Sequence, residues 1–362
     1  MYVSELRAAL PAAADRIGVA LDLVSLAPGG PLATRRRRLT WETAGVARAL
    51  RRSMPRPDVV HIPHQMPPAI RAPRGLAEVV TVHDVIPWLL PEYRRTRVVQ
   101  TRLILSRFWL HRAARVIVPS RATADDAARL LGIPRHRLAL IPLAPSAGFT
   151  PPSTPDDFAG IRRVRQRYGI DGPYVFNVGG FDARKNLVTL VEGFGRALST
   201  ADPDSQPTLV IGGAPHSDNE TVFPPLEPVI ARLGLQRRVI LTGKLPADDL
   251  LSLHRGAAVY CTPSIYEGFG LTPLDAMACG VPVVVANRTS LPEVTGDAGL
   301  LVEPTPAAVG EALGRVLRDD VLARRLHNRG LERAATFTWA ATAEATIHAY
   351  LAATRQVTSG RK

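Results

Sequence analysis

The stretch SIYEGFGLTPLDAMACG, Ser264 to Gly280, sets Glu267 on a glycine-flanked turn and a second carboxylate, Asp275, eight residues later. YCTPS (Tyr260 to Ser264) closes a short apolar run that reads as the end of a strand. EGFG reads as a tight turn, because glycine reaches backbone angles closed to other residues. Thr272 before Pro273 reads as an N-cap with proline at the first helical position. Asp275 then falls at the third helical position, where it can complete a capping box with Thr272, and Gly280 stops the helix. Strand, turn and helix in this order leave free backbone N–H groups at the helix start beside two acids.

Outward from this unit the chain alternates strands and helices. YVFNVGG (Tyr174 to Gly180) reads as a buried strand, and NLVTLVEGFGRAL as a helix capped by Asn186. TLVIGGA, RVILTG, AAVYCTPS, VPVVVAN and GLLVEP follow as strands with helical patterns between them. Short Val/Ile/Leu runs separated by amphipathic helices predict a parallel sheet covered on both faces. The first half repeats the grammar with VALDLVSL, DVVHIPH, EVVTVHD, RVIVPS and LALIPLAP. APSAGFTPPSTPDDFAG (Ala144 to Gly160) is rich in Pro, Ser and Gly and reads as a linker.

The fold class expected is therefore α/β, with two doubly wound Rossmann-like domains facing a cleft at the carboxyl ends of their strands. The divisions are 1–150 for the first domain, 151–170 for the linker and 171–336 for the second domain. A crossover helix at 337–354 can return to the first domain, and a tail at 355–362 reads as disordered. Residues 2 to 14 already read as helix without a capping residue before it, so the first domain is expected to lack its opening strand.

Composition narrows the classes. The 362 residues are 46% hydrophobic, with no apolar run of the roughly 18 residues that a membrane span needs. The N-terminus has no secretory-signal pattern, and Cys261 and Cys279 alone give no disulfide framework. Both point to a reducing cytoplasm. The net charge of +13 permits anionic partners, namely nucleotides, acidic membrane surfaces or nucleic acids. No recognition helix or aromatic RNA platform is present, so a nucleic-acid partner is not expected. The helix within Glu92 to Arg115 carries arginines with Phe108 and Trp109. It reads either as a peripheral contact with an anionic membrane or as a core helix with a solvated arginine face. The run Arg35 to Arg38 reads as a solvated loop.

Candidate site residues cluster after predicted strands. GGFDARKNL (Gly179 to Leu187) offers two glycines for close backbone approach, and Arg184 and Lys185 as adjacent cations for a diphosphate. Lys185 is one of only three lysines, with Lys244 and Lys362, which favours a function over a generic polar loop. The helix start near Gly270 supplies oriented N–H groups suited to phosphate, with Glu267 and Asp275 placed to accept from sugar hydroxyls. In TVHD, His83 ends a strand of the first domain, as do His61 and His64 in HIPHQ. No fourth ligand or carboxylate pattern accompanies these histidines, so no metal site is expected.

GGFDARKNL, SIYEGFGLTPLDAMACGVPVV and SLPEVTGDAGLLVEP together resemble the retaining glycosyltransferases of family 4, which have the GT-B fold, and TVHD and DVVHIPHQ resemble that family's first domain. The resemblance spans nearly the whole chain. It implies a hexosyltransferase moving mannose or glucose from a nucleotide-diphosphate sugar, the co-substrate, to a glycan or lipid-linked acceptor, with no cofactor and no metal. By motif match, Arg184 and Lys185, with the loop Gly179–Gly180, would hold the diphosphate, helped by N–H groups near Gly270, Leu271 and Thr272. Glu267 and His83 would contact the transferred sugar, as the catalytic pair, and Asp275 the ribose. The resemblance further implies front-face attack, with the donor phosphate assisting deprotonation of the acceptor.

Three departures stand out. The second carboxylate is Asp275 where the family usually has glutamate, Gly180 stands where some relatives carry arginine, and the usual opening strand and glycine loop do not precede the first helix. The last departure is expected to reflect a start codon placed too late, because a parallel sheet missing a central strand would expose a hydrophobic gap. The alternative reading is an inactive truncated GT-B binder of nucleotide sugars.

Overall fold

The computed structural model describes residues 1–26, 45–52, 56–65, 75–94, 96–199, 207–215, 217 and 219–359, so the Arg35 to Arg38 run lies outside the described residues. The chain forms two units. One joins Met1–Leu143 with Trp339–Lys362, and the other is Ala144–Thr338.

In the first unit, strands β1 (Val59–Ile62), β2 (Ala77–Thr81), β3 (Arg115–Val118) and β4 (Leu138–Leu140) form a parallel sheet in sequential order. The Trp339–Ser359 helix returns to this unit and covers β2 and β3, placing Ala349 and Ala353 among Ala77, Val79 and Ile117. Small residues on the helix let it lie close to the β-branched surface. Its other side meets the Tyr2–Arg16 helix, burying Leu6, Leu10, Ala13 and Ala14 against Ala343 and Ile347.

In the second unit, β5 (Tyr174–Val178), β6 (Thr208–Gly212), β7 (Val239–Gly243), β8 (Val259–Thr262), β9 (Val283–Ala286) and β10 (Leu300–Val302) form a parallel sheet ordered β10-β9-β8-β5-β6-β7. Every residue of β6, β8 and β9 is buried, as a sheet covered on both faces requires. The order reverses between β5 and β8. Chain leaving β5 turns toward β6 and chain leaving β8 turns toward β9, which makes the carboxyl ends of these two strands the switch point where such sheets bind ligands.

Four expectations need correction. VALDLVSL, residues 19–26, is not a strand: Val19, Leu21 and Leu23 pack against the two helices of the first unit instead of entering a ladder. The tail expected to be disordered continues the last helix to Ser359. The expected linker contains a helix, Pro155–Tyr168, started by a capping box in which Thr154 and Asp157 serve each other's backbone. Asn186 holds the N-cap position of the Leu187–Leu198 helix but makes no side-chain capping bond; it sits at φ 55° and its amide donates to the Pro263 and Pro304 carbonyls. Among the described residues no helix is long and apolar enough to cross a membrane.

The Leu187–Leu198 and Pro306–Arg318 helices meet through Gly193 and Gly310. A β-carbon on Gly310 would stand 2.7 Å from the Gly193 carbonyl oxygen, too close for either backbone to remain in place. Gly310→Ala is expected to destabilise the protein by about 1–3 kcal/mol. A urea midpoint equal to that of the unsubstituted protein would show that these helices can part at no cost.

Candidate active site

The loops after β5 and β8 are tied together by one backbone hydrogen bond and one side-chain amide. The Ile265 N–H donates to the Arg184 carbonyl at 2.8 Å, and the Asn186 amide reaches the Pro263 carbonyl. This brings Glu267 onto the two cations of the β5 loop. Lys185 Nζ lies 2.7 Å from one Glu267 carboxylate oxygen, and Arg184 Nη1 lies 3.1 Å from the other. Arg184 is held further by Asp182, 2.8 Å from its Nε, and by the Tyr266 carbonyl. Lys185 runs beneath Gly179, where a β-carbon would stand 3.3 Å from the ammonium nitrogen. Gly179 therefore makes room for the lysine, in addition to any room it leaves for a ligand.

All three ionised side chains are nearly buried. Burial alone pushes the Glu267 carboxyl up, but Lys185 and Arg184 outweigh it and hold the group at about 2. Two carboxylates, Asp182 and Glu267, balance two cations, so the cluster is neutral as it stands. An entering diphosphate can compete with Glu267 for cations already oriented and desolvated.

Two hydroxyls from the loop after β9 fix the Glu267 backbone. The Glu267 N–H donates to Thr289 Oγ1 at 3.0 Å, and Ser290 Oγ donates to the Glu267 carbonyl at 2.9 Å. Thr289 has φ 48°, an uncommon conformation for a β-branched residue, and such strain costs on the order of 1–3 kcal/mol. Strain kept at a residue that grips Glu267 marks Thr289 as part of the site.

The helix beside the cluster runs Leu271–Ala278, two residues earlier than the Thr272–Pro273 pair predicts. Gly270 occupies the cap position with φ 106°, and no side chain caps the helix. Thr272 instead turns its hydroxyl to Tyr260. The N–H groups of Leu271 and Thr272 stand at the open end of the helix. The predicted capping box is thus replaced: Asp275 accepts from the Ser146 N–H at 2.7 Å on one oxygen and from Ser146 Oγ at 3.0 Å on the other.

In the first unit, His83 Nε2 donates to the Pro63 carbonyl at 3.0 Å, and the Tyr2 ring stands edge-on with centroids 4.7 Å apart. Burial lowers the His83 pKa, partly opposed by the Pro63 carbonyl and Asp84, so the ring is neutral. His61 bridges Tyr350 and Thr81 at 2.8 and 2.7 Å, and burial with His83 nearby takes it down to about 4. Each of these rings is engaged by partners within the first unit. Among the described residues no three His, Cys, Asp or Glu side chains are grouped to hold a metal ion.

Comparison with known proteins decides the family. The family described as "Glycosyl transferases group 1" matches residues 161–333, and "Glycosyltransferase Family 4" matches residues 7–144. An O-antigen chain mannosyltransferase B of Escherichia coli is 31% identical over 277 residues, covering 75% of this chain and 69% of that protein. The chain belongs to the group 1, family 4 glycosyltransferases. The serotype-specific mannosyltransferase WbdA of Escherichia coli is 30% identical over 196 residues, but the match spans 52% of this chain and only 23% of that protein. The structure of a sucrose-phosphate synthase from Thermosynechococcus elongatus superimposes with a TM-score of 0.70 at 23% identity, covering 99% of this chain and 93% of that one. The fold of this glycosyltransferase is GT-B, with a parallel Rossmann-like sheet in each unit.

The structure of the glycosyltransferase brings Gly179, Arg184, Lys185 and Glu267 together, with Gly180 in the same turn and Gly270, Leu271 and Thr272 on the adjoining helix start. Asp275 is placed on a different partner, and His83 belongs to the other unit. Sequence reasoning missed Thr289, Ser290 and Asp182. The first two lie in RTSLPEV, where hydroxyls before proline look like an ordinary helix start.

Burial pushes the Asp275 carboxyl up to about 7, against the two Ser146 hydrogen bonds that favour ionisation. Because the folded value lies above the ordinary 3.8, the folded state holds an extra proton between the two, and stability falls as pH rises from about 4 to about 7. Asp275→Asn escapes this loss. Its stability relative to the unsubstituted protein is expected to grow by about 1.4 kcal/mol for each pH unit crossed in that window. Urea midpoints at the two ends of the window check this, and an advantage that does not widen with pH would show that Asp275 ionises without penalty.

Proposed function

We propose that the protein transfers a hexose from a nucleotide-diphosphate sugar to a hydroxyl of a glycan or lipid-linked acceptor, with retention of configuration. The single observation that carries this is the buried cluster of Arg184, Lys185 and Glu267 at the point where the sheet order reverses. Arg184 and Lys185 would take the diphosphate, with the Leu271 and Thr272 N–H groups adding the positive end of the helix. Glu267, once released, would accept from the transferred sugar's hydroxyls, and Asp275 with Ser146 would meet the ribose. His83 is retained as a sugar-contacting group on its motif match.

In the transfer the bond from the anomeric carbon to the diphosphate breaks, and the acceptor oxygen bonds to the same face of that carbon. The acceptor proton goes to the departing phosphate oxygen. Negative charge grows on the diphosphate, where fixed cations and helix N–H groups can stabilise it without a metal ion. On this reading no side chain is a nucleophile. The names of the two Escherichia coli relatives favour mannose as the hexose. Two buried free thiols, Cys261 and Cys279, support action in a reducing cytoplasm.

Thermal-shift measurement against GDP-mannose, UDP-glucose and ADP-glucose is expected to single out one nucleotide, with GDP-mannose favoured. With that donor, Glu267→Ala is expected to lower turnover by about 100- to 1,000-fold while leaving the melting cooperative. Turnover near that of the unsubstituted protein would remove Glu267 from the chemistry. Donor binding without turnover across glycan and lipid-linked acceptors would favour an inactive binder.

A further inference from the structure

The helix Arg97–Leu110 in the first unit turns several large apolar side chains to solvent among its polar ones. Leu103, Ser106 and Leu110 are buried, and at about 100° per residue they define one face of the helix. The opposite face presents Ile104, Phe108, Val98 and Leu105, exposed by 71%, 58%, 53% and 48%. No other helix among the described residues exposes more than one large hydrophobic side chain, so this patch is concentrated here. Exposed Arg97 and Thr101 share this face and exposed Arg102 borders it, and Arg112 lies over the Trp109 ring at 5.5 Å, with Phe108 in edge contact with the same indole.

A concentration of exposed apolar side chains of this kind marks an interaction surface. The charge around it decides the occupant. From Thr96 to Ala124 the sequence has no Asp or Glu, in a chain of net charge +13. A second copy docking face to face would bring these arginines against one another. A nucleic-acid backbone would gain nothing from Ile104, Leu105 and Val98. An anionic bilayer surface satisfies both features, taking the apolar side chains below its headgroups while the guanidiniums stay at headgroup level.

We propose that the face built by Val98, Ile104, Leu105 and Phe108, with Arg97, Arg102 and Arg112 around it, docks the protein on an anionic lipid surface. The surface stands on the helix's own residues and holds whether or not the transferase reading does. It needs no spanning segment.

The test is co-sedimentation of the full chain with vesicles of phosphatidylcholine alone and of phosphatidylcholine with phosphatidylglycerol, at low and high salt. Binding is expected only to the anionic vesicles, weakening as salt rises. Ile104→Ser with Phe108→Ser is expected to lower partitioning at least about tenfold while keeping a cooperative melt, because two large exposed side chains are removed from the interface and none from the core. Arg97→Gln with Arg102→Gln is expected to remove most of the salt sensitivity. The proposal is overturned if the protein ignores anionic vesicles at low salt, or if the Ile104/Phe108 variant partitions unchanged. A dimer in solution that the same variant dissociates would also overturn it, by showing that a second copy covers this face.

Discussion

The structure of the second unit turns on one carboxylate being buried between two cations. A carboxylate taken out of water without a partner costs several kcal/mol, and so does an unpaired lysine or arginine. Glu267, Lys185 and Arg184, with Asp182 behind, satisfy one another, so no charge in the cluster is left unpaired. The surrounding backbone serves this cluster. Gly179 yields space for Lys185, Thr289 accepts strain to hold the Glu267 N–H, and the two loops join through the Arg184 carbonyl. A neutral cluster assembled in this way is stable when empty and still offers cations to a stronger anion.

Sheet order is what lets the cluster exist. Glu267 and Lys185 are 82 residues apart and meet only because β5 and β8 are neighbours. With order β10-β9-β8-β5-β6-β7, the loops after those two strands meet at the point where the order reverses. Helix packing through Gly193 and Gly310, and the fully buried strands β8 and β9, hold that order rigid. Chemistry in this glycosyltransferase therefore depends on the core packing of one unit as directly as on its polar side chains.

Much of this was legible in the sequence, and the failures have physical causes. Glu267 stood out because a lone acid on a glycine turn has no structural duty, and Lys185 because lysine is scarce in the chain. Their pairing was not legible, since strand adjacency is a tertiary fact. The helix start was misplaced because proline fits any position in a first turn, where its missing N–H has no partner to lose, so Thr272–Pro273 does not fix the boundary. Asp275 could not be assigned to Ser146 from local spacing, with 129 residues between them. Residues 19–26 alternate as a strand would, yet two helices took up their apolar side chains. On the Arg97–Leu110 helix, Arg97, Arg102 and Arg107 are spaced by five, which turns each about 140° from the last, so they never form the single solvated face that a basic count suggests.

The central claim is that Lys185 is a preformed anion site for the diphosphate. The most direct measurement is calorimetric titration of the nucleoside diphosphate and of its parent nucleoside into the unsubstituted protein and Lys185→Met, whose side chain fits beneath Gly179 without the charge. The account predicts that the variant loses roughly tenfold to a hundredfold in affinity for the diphosphate, the worth of one charge-assisted hydrogen bond, while nucleoside affinity is unchanged. Equal diphosphate affinity in the two proteins would contradict it.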